Sequence, residues 1–401
     1  MASTEAPVRV LYSYPARIGA GRTCYTAWQQ VRGLAAAGAQ VTAMPGSIVR
    51  PLPPAVATAP TLARGPVRVP YRALGQARAL ELHDRIVARR LPALADRIDL
   101  VHTWPQGALA TLRTARRLGI PTVLERPNTH TRHAYAVVRR ECERLGLELP
   151  PGAEHAHDEA VLDREEAEFD AAGHLLCPSA FVLASFRGLG FPAGRLMRHG
   201  YGYDETVFHP PSEPRPADTG LTVLFAGFAA VRKGLHLALE AWRHSPASTS
   251  GRLLIAGDIL PAYARFLERE LAHPTVEVLG HRTDLPELMR RSDVLVLPSL
   301  EEGSSLVCLE AIGSDCVPLV SDAASAVCRH EDNALVHRAG DVRALAGHLT
   351  LVDRDREWLA RLRDGCRRTA PECTWTAAGR RLLDVYRAIL AEQAATRRPA
   401  G

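Results

Sequence analysis

The sequence predicts an α/β protein of two domains, each built from a parallel sheet and crossover helices. Short apolar runs alternate with amphipathic stretches of helical period through both halves of the chain, which is typical of successive strand–helix–strand units. At 401 residues the chain is longer than one ordinary hydrophobic core supports. A proline-rich polar stretch near its middle, HPPSEPRPADTG, indicates a linker between the two domains.

The first domain is predicted over residues 1–208. Its strands follow from the apolar runs VRVLYSY, AQVTAM, DLVHTW, PTVLE and GHLLCPS. Helices are expected near Tyr25–Ala37, around Leu112 and at Ala180–Gly188, where the sequence is amphipathic. The stretch Pro51–Gly75 is rich in proline and arginine, which predicts a loop.

The second domain is predicted over residues 221–374, after the linker at 209–220. The strand–helix alternation restarts there in LTVLFAG, KGLHLALEAW, RLLIAG, TVEVLG, SDVLVLP and CVPLVSD. The chain then ends in TWTAAGRRLLDVYRAILAEQ, which predicts one amphipathic helix within 375–401 with Trp375 and Leu382 on its apolar stripe. The pattern alone allows this helix either to brace the first domain or to pack on its own domain.

Composition excludes several classes of protein. A net charge of +5 and only 5% aromatic residues do not favour a nucleic-acid partner, since single-strand binding needs stacking platforms. The eight cysteines form no C-x-x-C pair and no zinc spacing, so no metal site is predicted. No pattern indicates an oligomeric state.

The cellular location is predicted to be cytoplasmic. The sequence opens without a basic and apolar signal segment, and no apolar run approaches the ~20 residues of a membrane span. Arginine-rich stretches at Arg64–Arg90 and Arg113–Arg117 suit peripheral contact with anionic lipid at the inner face of the membrane. Solvated helix faces explain these arginines equally well.

The segment PSLEEGSSLVCLEAIG carries the strongest chemical signal. A strand, a Gly-Ser-Ser turn and a helix follow one another, and the start of such a helix binds anions through free N–H groups. Glu310 lies in the helix about 8 Å beyond the turn, which suits the ribose hydroxyls of a nucleotide whose diphosphate occupies the turn. Glu302 precedes the turn and would face the group that the diphosphate carries.

Lys233 is predicted to be the countercharge. It is the only lysine among the 49 basic residues, so arginine serves wherever a general positive charge is wanted. A compact ammonium is therefore predicted to be needed at this position.

Taken together, these motifs resemble the retaining GT-B glycosyltransferases of family 4. EGSSLVCLEAIGSDCVPLVSD is similar to the E-x7-E signature of that family, FAGFAAVRKGLHLALEAW to its G-x6-KG segment, and LGHRTDLPELMRRSDVLVLPS to its nucleobase-side segment. GAGRTCYTAWQQ resembles the glycine loop of the first domain, and YGYDETVFHP the element at the domain junction. The resemblance implies two Rossmann-like domains facing each other across a cleft, with the C-terminal helix crossing back to the first domain.

The resemblance also implies roles for individual residues. Arg232 and Lys233 would neutralise the diphosphate, which is electrostatic catalysis without a metal. Glu302 would contact the transferred sugar and Glu310 would hold the ribose. The remaining predicted donor-binding residues are Gly19, Gly21, Gly227, Arg282, Gly303, Ser304, Ser305 and Leu306.

The first domain is expected to bind the acceptor. PTVLERPNTHTRHAY places Glu125, Asn128 and His130 just past a strand end, where they are expected to face the cleft if the sheet is parallel. The resemblance makes His130 the catalytic-region histidine. Glu125 and Asn128, with His102 at another strand end, are predicted to bind the acceptor.

The implied reaction moves a hexosyl group from a nucleotide-diphosphate sugar to a hydroxyl acceptor. The donor is expected to be UDP-glucose or UDP-N-acetylglucosamine, and no cofactor is required. The acceptor would be a small molecule, a saccharide or a lipid-linked sugar.

The chain departs from the family pattern at three positions. Phe228 replaces the arginine that usually follows the glycine of the G-x6-KG segment, so either Arg232 supplies that charge or the diphosphate is held more weakly. Ser305 replaces a proline, and Asp315 replaces the glycine that ends the helix. Aspartate tolerates a left-handed cap better than most residues, so the fold is expected to persist.

Three other functions remain open. The first is a GT-B sugar-nucleotide epimerase or hydrolase, and the second is a non-catalytic nucleotide-sugar-binding protein. The third is an NAD-dependent oxidoreductase, against which the GAGRT turn has Cys24 where a dinucleotide fingerprint has its third glycine.

Overall fold

A computed structural model describes residues 6–65, 67–69, 74–153, 155–213 and 220–397. The predicted linker at 209–220 and the predicted loop at 51–75 therefore lie partly outside the described residues, and so do the last four residues of the predicted C-terminal helix. Within the described residues, two parallel sheets carry helices between successive strands. The predicted α/β architecture is confirmed.

The first sheet has the strand order β3-β2-β1-β6-β7-β8-β9, and all its neighbouring strands are parallel. Its strands are β1 (Arg9–Ile18), β2 (Gln40–Ile48), β3 (Ala57–Thr58), β6 (Leu100–Thr103), β7 (Thr122–Glu125), β8 (His174–Cys177) and β9 (Leu196–Arg198). The predicted loop before residue 75 contains β3 and a short antiparallel pair, β4 (Ala63–Arg64) and β5 (Val67–Arg68).

The helices of the first domain cover the two faces of this sheet. They are α1 (Thr23–Ala36), α2 (Gln76–Arg90), α3 (Leu109–Arg117), α4 (Thr131–Leu145), α5 (Glu159–Ala171) and α6 (Ala180–Arg187). Polar caps start several of them: the Asp158 side chain accepts a hydrogen bond from the amide of Val161, and Ser179 accepts one from Val182. Such caps satisfy N–H groups that a helix start leaves open.

The second sheet has the order β12-β11-β10-β13-β14-β15 and is also parallel. Its strands are β10 (Thr222–Ala226), β11 (Arg252–Ala256), β12 (Val276–Gly280), β13 (Val294–Leu297), β14 (Val317–Ser321) and β15 (Leu335–His337). The central strands β10, β13 and β14 are buried along their whole length, which is why they appear as continuous apolar runs in the sequence.

The remaining helices lie in the second half of the chain. They are α7 (Leu235–His244), α8 (Pro261–Phe266), α9 (Glu268–Leu271), α10 (Leu285–Arg291), α11 (Leu306–Gly313), α12 (Val342–Arg354), α13 (Arg356–Thr369) and α14 (Trp375–Arg397). Asp315 follows α11 with a φ of 56°, so the predicted left-handed cap at this aspartate is confirmed.

The C-terminal helix α14 crosses back to the first domain. Its residues Leu382, Leu383, Tyr386 and Ile389 belong to the same hydrophobic core as β1 and α1. The helices α1 and α14 meet at two glycines, since a Cβ on Gly379 would lie 2.4 Å from the carbonyl carbon of Gly33. Of the two arrangements that the sequence allowed, the structure has the one in which the helix braces the first domain.

Candidate functional site

The predicted donor-binding loops meet at the switch point of the second sheet. Strands β10 and β13 are neighbours, but the chain continues from β10 towards β11 on one side and from β13 towards β14 on the other. Ligands of open α/β sheets bind in the crevice that forms where the connections diverge in this way. The two loops that leave these strands contain residues 227–234 and 298–305.

Glycines let these two loops approach each other. Gly227 follows β10 with a φ of 130°, and no atom lies within 4 Å of the position that a Cβ would take. Gly234 has a φ of 70°, and a Cβ there would lie 2.2 Å from the carbonyl oxygen of Pro298. The amide of Leu300 donates a hydrogen bond to the carbonyl of Arg232 at 2.7 Å. The basic turn at Val231–Lys233 is therefore fixed beside the end of β13.

Lys233 and Glu302 form an ion pair between the two loops. The Lys233 ammonium donates a hydrogen bond to Glu302 Oε2, and Arg232 Nη1 lies 3.4 Å from the same oxygen. Burial alone would raise the pKa of the Glu302 carboxyl, but the charges of Lys233 and Arg232 outweigh it and lower that pKa. Three predicted catalytic residues are thus brought together.

Glu301 has a different role from Glu302 although the two are adjacent. Its Oε1 accepts hydrogen bonds from Thr129 N at 3.1 Å and Thr129 Oγ1 at 2.8 Å, and its Oε2 lies 3.2 Å from His155 Nε2. Burial opposes ionisation of Glu301, but His155, Arg232 and Thr129 together lower its pKa. Glu301 therefore joins the second domain to the first, while Glu302 holds the lysine.

The helix α11 carries Glu310 away from the turn, as the spacing predicted. Ser304 and Ser305 are buried before its first residue, Leu306. Glu310 is half-buried, and burial raises the pKa of its carboxyl to about 7. Burial, and more weakly the charges of Asp204 and Glu310, also raise the pKa of Tyr25 on α1.

Gly303 allows the two domains to touch. A Cβ at this position would lie 1.5 Å from the carbonyl oxygen of Pro127 and 3.1 Å from the Cα of Asn128. The prediction was that Gly303 lets the backbone approach a ligand. In the structure, the group that approaches Gly303 is the backbone of the first domain.

The glycine loop after β1 brings a cation towards the second domain. Gly19 has a φ of 84°, and the space around Gly21 is open to 4 Å. Arg22, the next residue, is exposed and has a φ of 58°, a backbone conformation that a non-glycine residue adopts at a cost. Its guanidinium carbon lies 5.6 Å from the ring centre of Phe228, so this contact crosses the cleft.

A polar pocket of about 320 Å³ opens in the first domain beside this cleft. It lies beside the last residues of β1 and after the ends of β6 and β7, and Asn128, a predicted acceptor-binding residue, is part of its lining. A buried ion pair forms part of its wall, with Arg126 Nη1 3.0 Å from Glu165 Oε2. We call it the first-domain pocket. Its other polar and aromatic walls include Trp104, Gln106, Thr131, Tyr135 and His155.

The other two predicted acceptor residues, His102 and Glu125, are fully buried. His102 Nδ1 lies 2.6 Å from the hydroxyl of Tyr386 on α14. Glu125 accepts hydrogen bonds from Tyr201 at 2.9 Å and Gln30 at 3.0 Å. The predicted position of both side chains in the cleft is therefore corrected, because they form a buried network between the sheet and α14.

The side chain of His130 caps a helix. Its Nδ1 accepts a hydrogen bond from the amide of Arg132 at the start of α4, and its ring packs against Phe169 and Phe186. Burial, with the charges of Arg126 and Arg132, lowers its pKa to about 4. The expectation that His130 faces the cleft is corrected, since a strand end fixes where a residue lies but not where its side chain points.

Arg282 lies at the far edge of the second sheet. It follows β12, which is an edge strand, and its exposed guanidinium donates hydrogen bonds to Asp284 at 2.8 and 2.6 Å. The structure does not bring this side chain together with Lys233 and Glu302. Within the described ranges, no group of three or more His, Cys, Asp or Glu side chains is arranged to hold a metal ion.

The sequence analysis missed several residues of the site. His155 lies in a loop between α4 and α5 and belongs to no motif. Arg126 and Glu165 are 39 positions apart in the chain, so only the fold pairs them. The signal that did exist was local: Trp104, Gln106 and Arg126 directly follow strands that were predicted, as Asn128 does.

Comparisons with known proteins place these loops in a known kind of domain. A family model described as "Glycosyl transferases group 1" matches residues 220–353, which include the turn with Lys233, the Gly-Ser-Ser turn and α11. The D-inositol 3-phosphate glycosyltransferase of Thermobispora bispora is 27% identical over 389 residues, covering 88% of this chain and 87% of that protein.

Solved structures resemble this chain over nearly its whole length. Sucrose-phosphate synthase from Thermosynechococcus elongatus aligns with a TM-score of 0.71 at 20% identity, over 96% of this chain and 100% of that one. HepE of Anabaena in complex with UDP-glucose gives 0.64 at 14% identity, over 97% and 99%. WaaG, a glycosyltransferase involved in lipopolysaccharide biosynthesis, gives 0.64 at 15%, over 94% and 99%. The chain therefore has the GT-B fold, and its residues 220–353 match the group 1 glycosyltransferase model.

Proposed function

We propose that this protein is a retaining, metal-independent glycosyltransferase that moves a hexosyl group from a nucleotide-diphosphate sugar to an acceptor hydroxyl. The observation that carries the proposal is the convergence of Lys233, Arg232 and Glu302 at the switch point of the second sheet. This convergence lies inside the segment that matches the group 1 glycosyltransferase model.

The donor is proposed to span the two loops of the second domain. Its diphosphate would lie between the basic turn and the start of α11, where backbone N–H groups and the helix dipole favour anions. Glu310 would accept hydrogen bonds from the ribose hydroxyls, and the backbone after β12 would contact the base. UDP-glucose or UDP-N-acetylglucosamine is the proposed donor, supported by the fold relative whose structure holds UDP-glucose.

Lys233 is proposed to stabilise the leaving diphosphate. In the structure its ammonium is held by Glu302, which orients it before the substrate arrives. A preoriented cation stabilises charge that develops in the transition state more strongly than a mobile one. Glu302 would then accept hydrogen bonds from the hydroxyls of the transferred sugar.

Arg22 is proposed to supply the charge that Phe228 cannot. The sequence left Arg232 as the candidate, but this guanidinium is buried and contacts the Glu301 carbonyl at 3.2 Å as well as Glu302. Arg22 is exposed and is held above Phe228 by the glycine loop of the opposite domain. It therefore suits a diphosphate that enters from solvent.

The proposed chemistry is a front-face displacement. The acceptor oxygen bonds to the anomeric carbon as the bond from that carbon to the diphosphate oxygen breaks. The acceptor proton passes to the departing phosphate oxygen, so no separate base is needed. The configuration is retained because the acceptor attacks from the face that the phosphate leaves. A glycosyl ester trapped on Glu302 would contradict this mechanism.

A thermal-shift panel tests the donor assignment. UDP, UDP-glucose and UDP-N-acetylglucosamine should raise the melting temperature, because a ligand that binds only the folded state stabilises it. GDP-mannose and NAD are tested separately as alternative ligands. Stabilisation by NAD without stabilisation by UDP would point to the oxidoreductase alternative.

Turnover measurements separate a transferase from an epimerase or a hydrolase. With UDP-glucose and no acceptor, a transferase should release little UDP, whereas a hydrolase should release it steadily. The same assay with a chelator tests metal independence. The anomeric proton coupling of the product, measured by NMR, reports whether the configuration is retained.

A further inference from the structure

A second cavity, of about 470 Å³, lies next to the first-domain pocket. It is bounded by α4, by residues 147–149 and 155–157 and by the start of α5, and we call it the side pocket. Much of its lining is apolar, from Ala136, Cys142, Leu147, Leu149 and Leu162. Its volume falls in the range of pockets that enclose a drug-sized group.

The charged groups of the side pocket are at its rim. Arg132 is exposed and its guanidinium lies 2.8 Å from Glu166, and exposed Arg139 lies 3.8 Å from Glu143. These charged side chains are accessible to solvent and form ion pairs with each other. The interior of the side pocket therefore offers mainly apolar surface to a ligand. A polar sugar would gain little there, whereas each methylene group of an alkyl chain would bind more favourably when it leaves water for this surface.

The side pocket adjoins the first-domain pocket, which lies beside the proposed catalytic region. Tyr135 and His155 line both it and the first-domain pocket. The imidazole of His155 also lies 3.2 Å from the carboxylate of Glu301, whose neighbour Glu302 holds Lys233. A ligand that passes Tyr135 and His155 would extend from the side pocket into the first-domain pocket and would stay within the first domain.

We infer that the side pocket binds the apolar part of the acceptor. The acceptor is then an amphiphile, with the reacting hydroxyl on a polar head in the first-domain pocket and an alkyl or aromatic portion in the side pocket. The assignment to an acceptor rests on the proposed glycosyl transfer, but the prediction that the side pocket binds apolar groups does not.

Ala136 provides the test position because its small side chain faces the cavity from α4. Replacing it with tryptophan (Ala136→Trp) should fill much of the space. Arg140→Trp is the matched control, since it puts the same indole on the exposed face of the same helix. Ala156→Trp fills the pocket from the opposite wall without altering α4, and so covers the case in which Ala136→Trp fails to fold.

The probe is 1-anilinonaphthalene-8-sulfonate, whose rings suit the apolar interior and whose sulfonate suits the arginine rim. Wild type and Arg140→Trp should bind it saturably with a rise in fluorescence. In Ala136→Trp or Ala156→Trp, with a melting temperature near that of wild type, the apparent affinity should fall at least about tenfold.

Competition with alkyl glucosides tests the amphiphile. Octyl β-D-glucoside, kept below its micelle-forming concentration, should displace the probe at a concentration at least about tenfold lower than methyl β-D-glucoside. Equal potency of the two glucosides would overturn the inference. So would probe binding that both pocket-filling variants leave unchanged, or no binding to wild type.

Stabilisation by UDP, measured on the same four proteins, separates this inference from the proposed function. If UDP raises the melting temperature but the probe does not bind, the acceptor subsite is wrong and glycosyl transfer stands. If the probe binds and UDP has no effect, the apolar site stands and its assignment to an acceptor falls with the proposed function.

Discussion

Lys233 is the residue on which the proposed chemistry depends most directly. Replacing it with alanine should lower kcat/KM for the donor by at least about 100-fold, because a preoriented cation beside the leaving group is lost. Lys233→Arg keeps the charge but not the compact geometry, so we expect an intermediate loss. Steady-state kinetics with UDP-glucose and an acceptor would measure both, and turnover of Lys233→Ala at the wild-type rate would refute the role.

A separate control must show that Lys233→Ala loses turnover for a reason other than lower stability. Removing the ammonium leaves the buried Glu302 carboxylate with Arg232 as its nearest cation, and an uncompensated buried charge destabilises a protein. The double variant Lys233→Ala/Glu302→Gln removes both charges and should melt closer to wild type. Loss of turnover in that variant would then come from chemistry and not from unfolding.

Glu310 predicts a pH dependence of donor binding. Burial raises the pKa of its carboxyl to about 7, and the ionised form accepts stronger, charge-assisted hydrogen bonds from the ribose hydroxyls than the neutral form does. We therefore expect the KM for UDP-glucose to fall as the pH rises from 6 to 8. UDP-glucose is the right ligand because its diphosphate has no terminal group that titrates in this range. A Glu310→Gln variant should lose the dependence.

The same carboxyl links stability to pH. Its pKa in the folded state is above the ordinary value of 4.5, so between these two values the folded protein binds more protons than the unfolded chain. The stability that the neutral carboxyl contributes is fully present below about pH 4.5 and is lost as the pH rises through about 7. Melting temperatures of wild type and Glu310→Gln across this window would show the difference.

Substitutions test whether His130 or His155 contributes to turnover. His130→Asn keeps a good N-cap for α4, so turnover should stay within about threefold of wild type, while His130→Ala should cost about 1 kcal/mol of stability. His155→Ala removes the imidazole that lies 3.2 Å from the buried Glu301 carboxylate and should lower turnover about tenfold. The reverse order, with His130→Asn inactive and His155→Ala active, would restore His130 as the catalytic histidine.

What the sequence could say about single residues depended on local pattern. Lys233 could be identified because it is the only lysine of the chain. Glu302 and Glu310 could be identified because a strand, a turn and a helix fix their spacing. His130 was placed in the correct loop, but the direction of its side chain depends on Phe169 and Phe186, which are remote in sequence. His155 had no local pattern, so only the fold reveals it.

At the scale of elements, the central strands were predictable because they are buried on both faces of a parallel sheet. Such strands are short, continuous and apolar, and β10, β13 and β14 each lie inside a run predicted from the sequence. The loops were not predictable, because their shape depends on contacts between elements. The turn at Gly303 is an example: its glycine is explained by the backbone of Pro127 in the other domain.

Gly303→Ala tests this contact between the loops. A Cβ would overlap the Pro127 carbonyl, so the two loops must separate and the bonds from Thr129 to Glu301 should weaken. We expect lower turnover and a loss of about 1–3 kcal/mol in the free energy of unfolding. Chemical denaturation measures the stability.

Gly347→Ala is the matched control for that substitution. Gly347 lies in α12, and no atom lies within 4 Å of its Cβ position, so alanine should be neutral or stabilise the protein by up to about 1 kcal/mol. If Gly303→Ala behaved like Gly347→Ala, the contact between the loops would not be required.

At the scale of the whole molecule, sequence could predict two domains but not how they are joined. Alternating strands and helices define each domain by itself, whereas the junction depends on polar groups that are buried only in the assembled protein. Glu125, His102 and Tyr386 form such a junction between β7, β6 and α14. Glu125 and His102 were assigned to the acceptor because a polar residue at a strand end indicates a site equally well when it is buried.

Within the described residues, no helix combines the length and apolar character that a membrane span requires.

The crossing of α1 and α14 allows a last prediction, on how the C-terminal helix supports the first domain. The two backbones approach so closely that a Cβ on Gly33 would lie 3.0 Å from the Cα of Gly379. Gly379→Ala should therefore push the helices apart, loosen the bond between Tyr386 and His102, and destabilise the protein by about 1–3 kcal/mol. Scanning calorimetry should show a melting temperature lower by a few degrees.

Gly194→Ala, in the same domain with open space at its Cβ position, should leave the transition unchanged. Equal melting temperatures for Gly379→Ala and wild type would mean that α14 adds little to the first domain, because a helix that stabilises it must be held at this crossing.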